Sequence, residues 1–125
     1  MLRWVLITAA AHSCATGTGL LLQPEWLLEW GGWNNPGEPF FPAQGGVFHI
    51  LMALLYLYAG TGRIHRQVLI PFIAVVKSTA TLFLAIYVLL VEYIWMVALS
   101  AVVDGLFALA FILPVSYTHL RAHET

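Results

Sequence analysis

Residues 67–113 read QVLIPFIAVVKSTATLFLAIYVLLVEYIWMVALSAVVDGLFALAFIL, with Lys77, Glu92 and Asp104 as the only charged side chains. An apolar helix of about 20 residues crosses a bilayer core of about 30 Å, so this stretch is long enough to cross twice. The spans are 67–91 and 93–113, and the break at Glu92 leaves room only for a tight hairpin. Lys77 stands ten residues from the start of its span and Asp104 eleven from the start of the next. At a rise of about 1.5 Å per residue both lie roughly 15 Å deep, near the bilayer midplane. The hairpin makes the two helices antiparallel neighbours, and a Lys77–Asp104 ion pair is the expected arrangement.

Two further stretches extend the pattern, 2–22 and 43–62. Gly60 and Gly62 close the second of these, and Pro71 is expected in the first turn of the third, where a missing N–H is harmless. The whole chain has 125 residues, of which 61% are hydrophobic and 9% charged, with a net charge of −1 and a mean hydropathy of +0.86. Soluble domains carry about 25% charged residues, so the composition excludes an ordinary soluble enzyme and a disordered chain. The five Lys and Arg residues do not cluster, and no nucleic-acid partner is expected. One cysteine excludes a disulfide framework, a CxxC redox pair and a thiolate metal cage. The expected fold is all-α, a four-helix integral membrane bundle forming one domain over 1–114, with no metal or cofactor motif and no enzymatic constellation.

Loop charges orient the bundle. Arg3 precedes the first span, and Arg63, His65 and Arg66 separate the second from the third. The long loop 23–42 carries Glu25, Glu29 and Glu38 without Lys or Arg, and Glu92 belongs to the same side. Basic residues mark the cytoplasmic face, which gives an N-in, C-in topology. A signal peptide with Arg3 as its basic region is the alternative, but the apolar run continues through Leu20, Leu21 and Leu22, past any cleavage site. Within the loop, 24–30 reads as a short helix opened by proline. Trp26, Trp30 and Trp33 recur on it at helical spacing and are expected to anchor it at the headgroup level. Residues 34–39 form a turn cluster, and Phe40-Phe41-Pro42 leads back into the membrane. The tail 115–125, VSYTHLRAHET, resembles translated adapter sequence and is set apart from the fold as a non-native ending.

Four ionisable residues fall inside the spans: His12, His49, Lys77 and Asp104. A Lys or Asp at a helix centre costs about 2.5–3.5 kcal/mol to insert, so such groups face the bundle interior and find partners. Small and polar residues share their faces: Thr8, Thr16 and Gly19 with His12; Gly45, Ala53, Tyr56 and Gly60 with His49. Ala74, Thr81 and Ala85 join Lys77, and Ala108 joins Asp104. Small residues allow close helix approach and hydroxyls can bond across helices. The expected polar centre is therefore His12, His49, Tyr56, Lys77, Thr81 and Asp104, with His49 about 9 Å deep and one turn above the rest. The plainer reading is a register-fixing ion pair with histidines bonded to backbone carbonyls or threonines.

On 40–42 through His49 to Tyr56, on Val76-Lys77 and on Val103-Asp104-Gly105, the chain resembles small bacterial four-helix inner-membrane proteins of unassigned function, DoxX-like in size and layout. The resemblance implies a multi-pass protein of the bacterial inner (plasma) membrane. Small multidrug exporters are of similar length but rely on a Glu in the first helix, where this chain has His12. Three roles fit: a non-enzymatic accessory or structural subunit of a membrane assembly; a proton-linked small-solute transport module acting as a homodimer; and a quinone- or haem-binding redox protein using His12 and His49. The expected depth difference between the histidines argues against the third. The partners are then the bilayer and either a second copy or a larger complex. The charge argument is checked by reporter tags: the N-terminus and the 63–66 loop should report cytoplasm, and a tag at Asn34 the opposite side.

Overall fold

The computed structural model describes the backbone at 2–34, 36–63 and 65–124, with side chains to residue 113. Among the described residues five helices follow in order: α1 (Leu2–Leu22), α2 (Glu25–Gly31), α3 (Phe40–Gly60), α4 (Arg66–Leu90) and α5 (Trp95–Glu124). Four apolar stretches among the described residues are long enough to cross a membrane, namely α1, α3, α4 and Trp95–Leu113 of α5. The side chains of the adapter-like tail lie outside the described residues. The chain forms two compact units, Met1–Ile64 and His65–Thr125.

Three boundaries differ from expectation. The helix α3 begins at Phe40 rather than residue 43, so Phe40-Phe41-Pro42 is its first turn and not a lead-in. The first turn of a helix has no intrahelical use for its N–H groups, so Pro42 fits there without loss. Glu38 then accepts a hydrogen bond from the Phe40 N–H through Oε1 at 3.2 Å, placing a carboxylate at the positive end of the helix. Pro71 lies inside α4 and not in its first turn, because the helix starts at Arg66 with His65 as its extended N-cap. The missing Pro71 N–H therefore removes one interior backbone bond. The last connection spans 91–94, with both Val91 and Glu92 N–H groups closing on the Tyr87 carbonyl at 2.9 and 3.1 Å.

In the first unit α1 packs against α3. The α1 contact face is Leu6, Ala9, Ala10, Ser13 and Gly17, one residue on from the expected face of Thr8, His12, Thr16 and Gly19. One residue is about 100° of helix rotation, which leaves Thr8 exposed and His12, Thr16 and Gly19 half-buried. Backbone proximity sets this rotation. A Cβ on Gly17 would sit 2.7 Å from the Gly46 carbonyl oxygen, and a Cβ on Gly46 would sit 2.6 Å from that of Gly17. At the far end a Cβ on Gly60 would meet Ile7 Cγ1 at 3.2 Å and Leu6 Cβ at 3.3 Å. Only small residues tolerate such approach, and Ala9, Ser13 and Gly17 supply them one turn apart.

The threonines do not bond across the helices as expected. Thr8, Thr16 and Thr18 each return their hydroxyl to the carbonyl four residues earlier, at 2.8, 2.9 and 2.8 Å. That local bond is always within reach in a helix and needs no neighbour.

The loop of the first unit is tied down at both ends. Gln23 donates through Nε2 to the Pro39 carbonyl at 3.2 Å, and Leu27 of α2 lies over Gly19. Gly32, in the left-handed region at φ 96°, ends α2 with N–H bonds from Gly32 to Glu29 and from Trp33 to Leu28. Trp33 therefore leaves the helical register of Trp26 and Trp30. The latter two are exposed, whereas Trp33 is half-buried.

In the second unit α4 and α5 form an antiparallel hairpin. Ile70, Ile73, Ala74 and Lys77 are buried on α4, and Asp104, Ala108 and Phe111 on α5. The outward faces are apolar too, with Leu82, Phe83, Leu89, Leu90 and Leu109 all exposed. Soluble monomers rarely expose continuous apolar surface of this kind; a hydrocarbon solvent suits it. The glycine crossing gives a direct stability test. Gly17→Ala or Gly46→Ala should destabilise the protein in detergent by about 1–3 kcal/mol, the range for overpacking. Gly45→Ala, whose Cβ would meet nothing nearer than Leu20 Cδ1 at 4.0 Å, should be neutral to within about 0.5 kcal/mol. Unfolding titrations in mixed micelles read the difference.

Candidate functional site

The ion pair expected from the hairpin is present. Lys77 Nζ donates to Asp104 Oδ1 at 2.8 Å, and the two residues are 3% and 4% exposed. Lys77 lies eleven residues after Arg66, and Asp104 nine from both Trp95 and Leu113, so both sit at mid-span. Two charges in so dry a place attract strongly, but their desolvation cost is of similar size, and the pair gains stability only with good geometry. Phe107 improves that geometry. Its ring centroid is 5.1 Å from Nζ, a cation–π distance. The sequence holds a signal for it: Phe107 follows Asp104 by three residues, on the same face of α5. Thr81 has a different role from the one expected. Its hydroxyl bonds the Lys77 carbonyl at 2.8 Å, and its methyl packs against the Gly105 backbone.

The first unit holds a second polar contact, between Ser13 and His49. Ser13 is 1% exposed; its Oγ lies 2.8 Å from the His49 carbonyl oxygen and 3.3 Å from His49 Nδ1. Starting α3 at Phe40 moves His49 deeper than the sequence suggested. It lies nine residues from Phe40 and eleven from Gly60, at the middle of its helix rather than one turn above it. His12 lies ten residues after Leu2. The two histidines are thus level to within about 2 Å along antiparallel helices, which removes the depth argument against their acting together. Tyr56 is 1% exposed on the same helix as His49. His12 is half-buried, and its carbonyl accepts the Thr16 hydroxyl.

Ser13 escapes sequence reading because it is neutral and sits beside the more conspicuous His12. The signal that finds it is the four-residue ladder Ala9, Ser13, Gly17, which marks a close helix contact. Residues of the expected centre are thus seen in polar contact inside each unit: Lys77 with Asp104, and His49 with Ser13. Trp26 and Trp30 on α2 are 68% and 64% exposed, a placement suited to headgroup contact. Among the described residues, no three His, Cys, Asp or Glu side chains gather as a metal site.

Proton counting assigns the Ser13–His49 contact. A serine hydroxyl has one hydrogen, and the 2.8 Å distance commits it to the His49 carbonyl. A bond at Nδ1 would then have the imidazole as its donor, and the tautomer with a hydrogen on Nδ1 is the expected one. Nitrogen-15 spectra of ring-labelled protein in nanodiscs should show His49 protonated at Nδ1. Ser13→Ala should abolish that preference while leaving the chain folded, and an unchanged tautomer would show that Ser13 does not set it.

Comparison of the chain with protein families, with curated proteins and with solved structures finds no match. None of these comparisons supports the DoxX-like resemblance.

Proposed function

We propose that the protein is a small, multi-pass, non-catalytic subunit of a bacterial inner-membrane assembly, with N-terminus inside and α2 lying on the outer surface. The observation that carries this reading is the closure of Lys77 and Asp104 on each other within one hairpin, both under 5% exposed. A charge pair so enclosed fixes the rotation and register of α4 against α5, which an accessory subunit needs in order to present a constant surface. The many apolar side chains left exposed on all four long helices are consistent with lipid on one side and partner helices on another. Proton-linked transport by a homodimer is the second reading, and the mid-span position of His12, His49, Lys77 and Asp104 favours it, since intramembrane charges are often functional.

Substitution separates the two. Lys77→Ala or Asp104→Ala should each cost about 3–5 kcal/mol by stranding the other charge. The K77M/D104L double variant should regain most of that loss, because no charge remains to desolvate. For an accessory subunit the double variant still copurifies with the same membrane proteins, and wild-type liposomes show no proton flux. A wild-type proton flux that the stable double variant lacks would overturn the accessory reading in favour of transport. A double variant whose loss equals the sum of the two single losses would mean that the two side chains do not interact.

A further inference from the structure

The first unit is electrically polarised along its helices. Arg3 opens α1, and Arg63 follows α3 by three residues. The antiparallel packing brings these ends together: a Cβ on Gly60 would lie 3.5 Å from the Arg3 carbonyl oxygen and 3.3 Å from Leu6 Cβ. The unit's three carboxylates, Glu25, Glu29 and Glu38, all belong to the opposite end, about 30 Å away along the 21-residue helix.

Near the end of α3 the carbonyls of Leu57, Tyr58 and Ala59 accept backbone or hydroxyl donors. The Arg63 N–H bonds the Tyr58 carbonyl at 2.9 Å and the Gly62 N–H bonds that of Ala59 at 3.4 Å. Thr61 closes on Leu57 with both its N–H and its hydroxyl, at 2.9 and 2.8 Å. This is the hydrogen-bond pattern that a left-handed residue permits, here Gly62 at φ 79°, and it fixes where Arg63 leaves the helix. Arg3 and Arg63 are both exposed. Arg3 lies 5.5 Å from the Trp4 ring centroid, and Trp4 is itself 65% exposed.

We infer that this end of the α1–α3 pair binds the phosphate of an anionic phospholipid headgroup between Arg3 and Arg63, with Trp4 seated at the same level. Guanidinium groups match phosphate oxygens with paired N–H donors, and tryptophan prefers the headgroup layer. The two arginines sit at the ends of membrane-length apolar helices, where lipid phosphates lie, which makes a lipid the occupant rather than a dissolved anion. The inference rests on the membrane-spanning reading and is independent of the accessory role proposed above.

The test uses the full chain in nanodiscs of phosphatidylcholine containing phosphatidylglycerol, with retained lipids counted by native mass spectrometry. Wild type should hold phosphatidylglycerol at collision energies that strip phosphatidylcholine. In R3Q/R63Q that retention should fall to the phosphatidylcholine level. R3K/R63K, which keeps the charge, should preserve most of it, and E25Q/E29Q at the opposite end should leave it unchanged. Helicity and elution volume identify any variant that has failed to fold, and R3K/R63K retains a readable comparison in that case. Wild type releasing both lipids alike, R3Q/R63Q retaining phosphatidylglycerol as wild type does, or inorganic phosphate displacing the retained lipid at millimolar concentration would overturn the inference.

Discussion

Hydrocarbon offers no hydrogen bonds, so every polar group carried into it must find a partner within the protein. That constraint organises both halves of this chain. In the second unit it joins Lys77 to Asp104 at 2.8 Å, with the Phe107 ring beside the ammonium. In the first it turns Ser13 onto the His49 carbonyl and folds the hydroxyls of Thr8, Thr16 and Thr18 back onto their own helix. Between apolar helices in lipid there is no hydrophobic drive to associate; polar closure and close packing have to supply it.

The two units meet that requirement by different means. The α1–α3 pair relies on backbone approach at Gly17 and Gly46, where either glycine would clash with the other's carbonyl if it carried a Cβ. Dispersion attraction across that short separation takes the place of charge. The α4–α5 pair is lined by Ile70, Ile73 and Phe111, and encloses a lysine and an aspartate at its centre. A close glycine crossing has no room for an ammonium, and a hairpin lined with isoleucine has room to enclose one. The depth of both polar contacts near mid-span follows from the same logic, since near the ends a lysine or arginine reaches water along its own stem.

Charge at the ends obeys the opposite rule. Arg3 and Arg63 stand at one end of the first unit and Glu25, Glu29 and Glu38 at the other, where solvent and headgroups remove the need for an internal partner. The exposed Trp26 and Trp30 on α2 add amphipathic rings to the acidic end.

The sequence alone determined the number of apolar helices, their approximate limits, the hairpin at Glu92 and the pairing of Lys77 with Asp104. These follow from hydrophobic length and from the cost of isolated charge, both of which are properties of composition along the chain. Only the tertiary structure decided which face of α1 is buried. Thr8, His12 and Thr16 look like a polar seam in one dimension, but a threonine satisfies itself locally, and the Gly17–Gly46 approach rotates the helix by one residue to bury Ala9, Ser13 and Gly17 instead. The start of α3 was hidden for a related reason. Prolines in a first turn look like breakers in sequence, yet cost nothing where the N–H has no intrahelical partner, and three added residues carried His49 to the centre of its helix. Periodicity and composition describe one helix at a time; the rotation and depth of a helix depend on how closely another backbone can approach it.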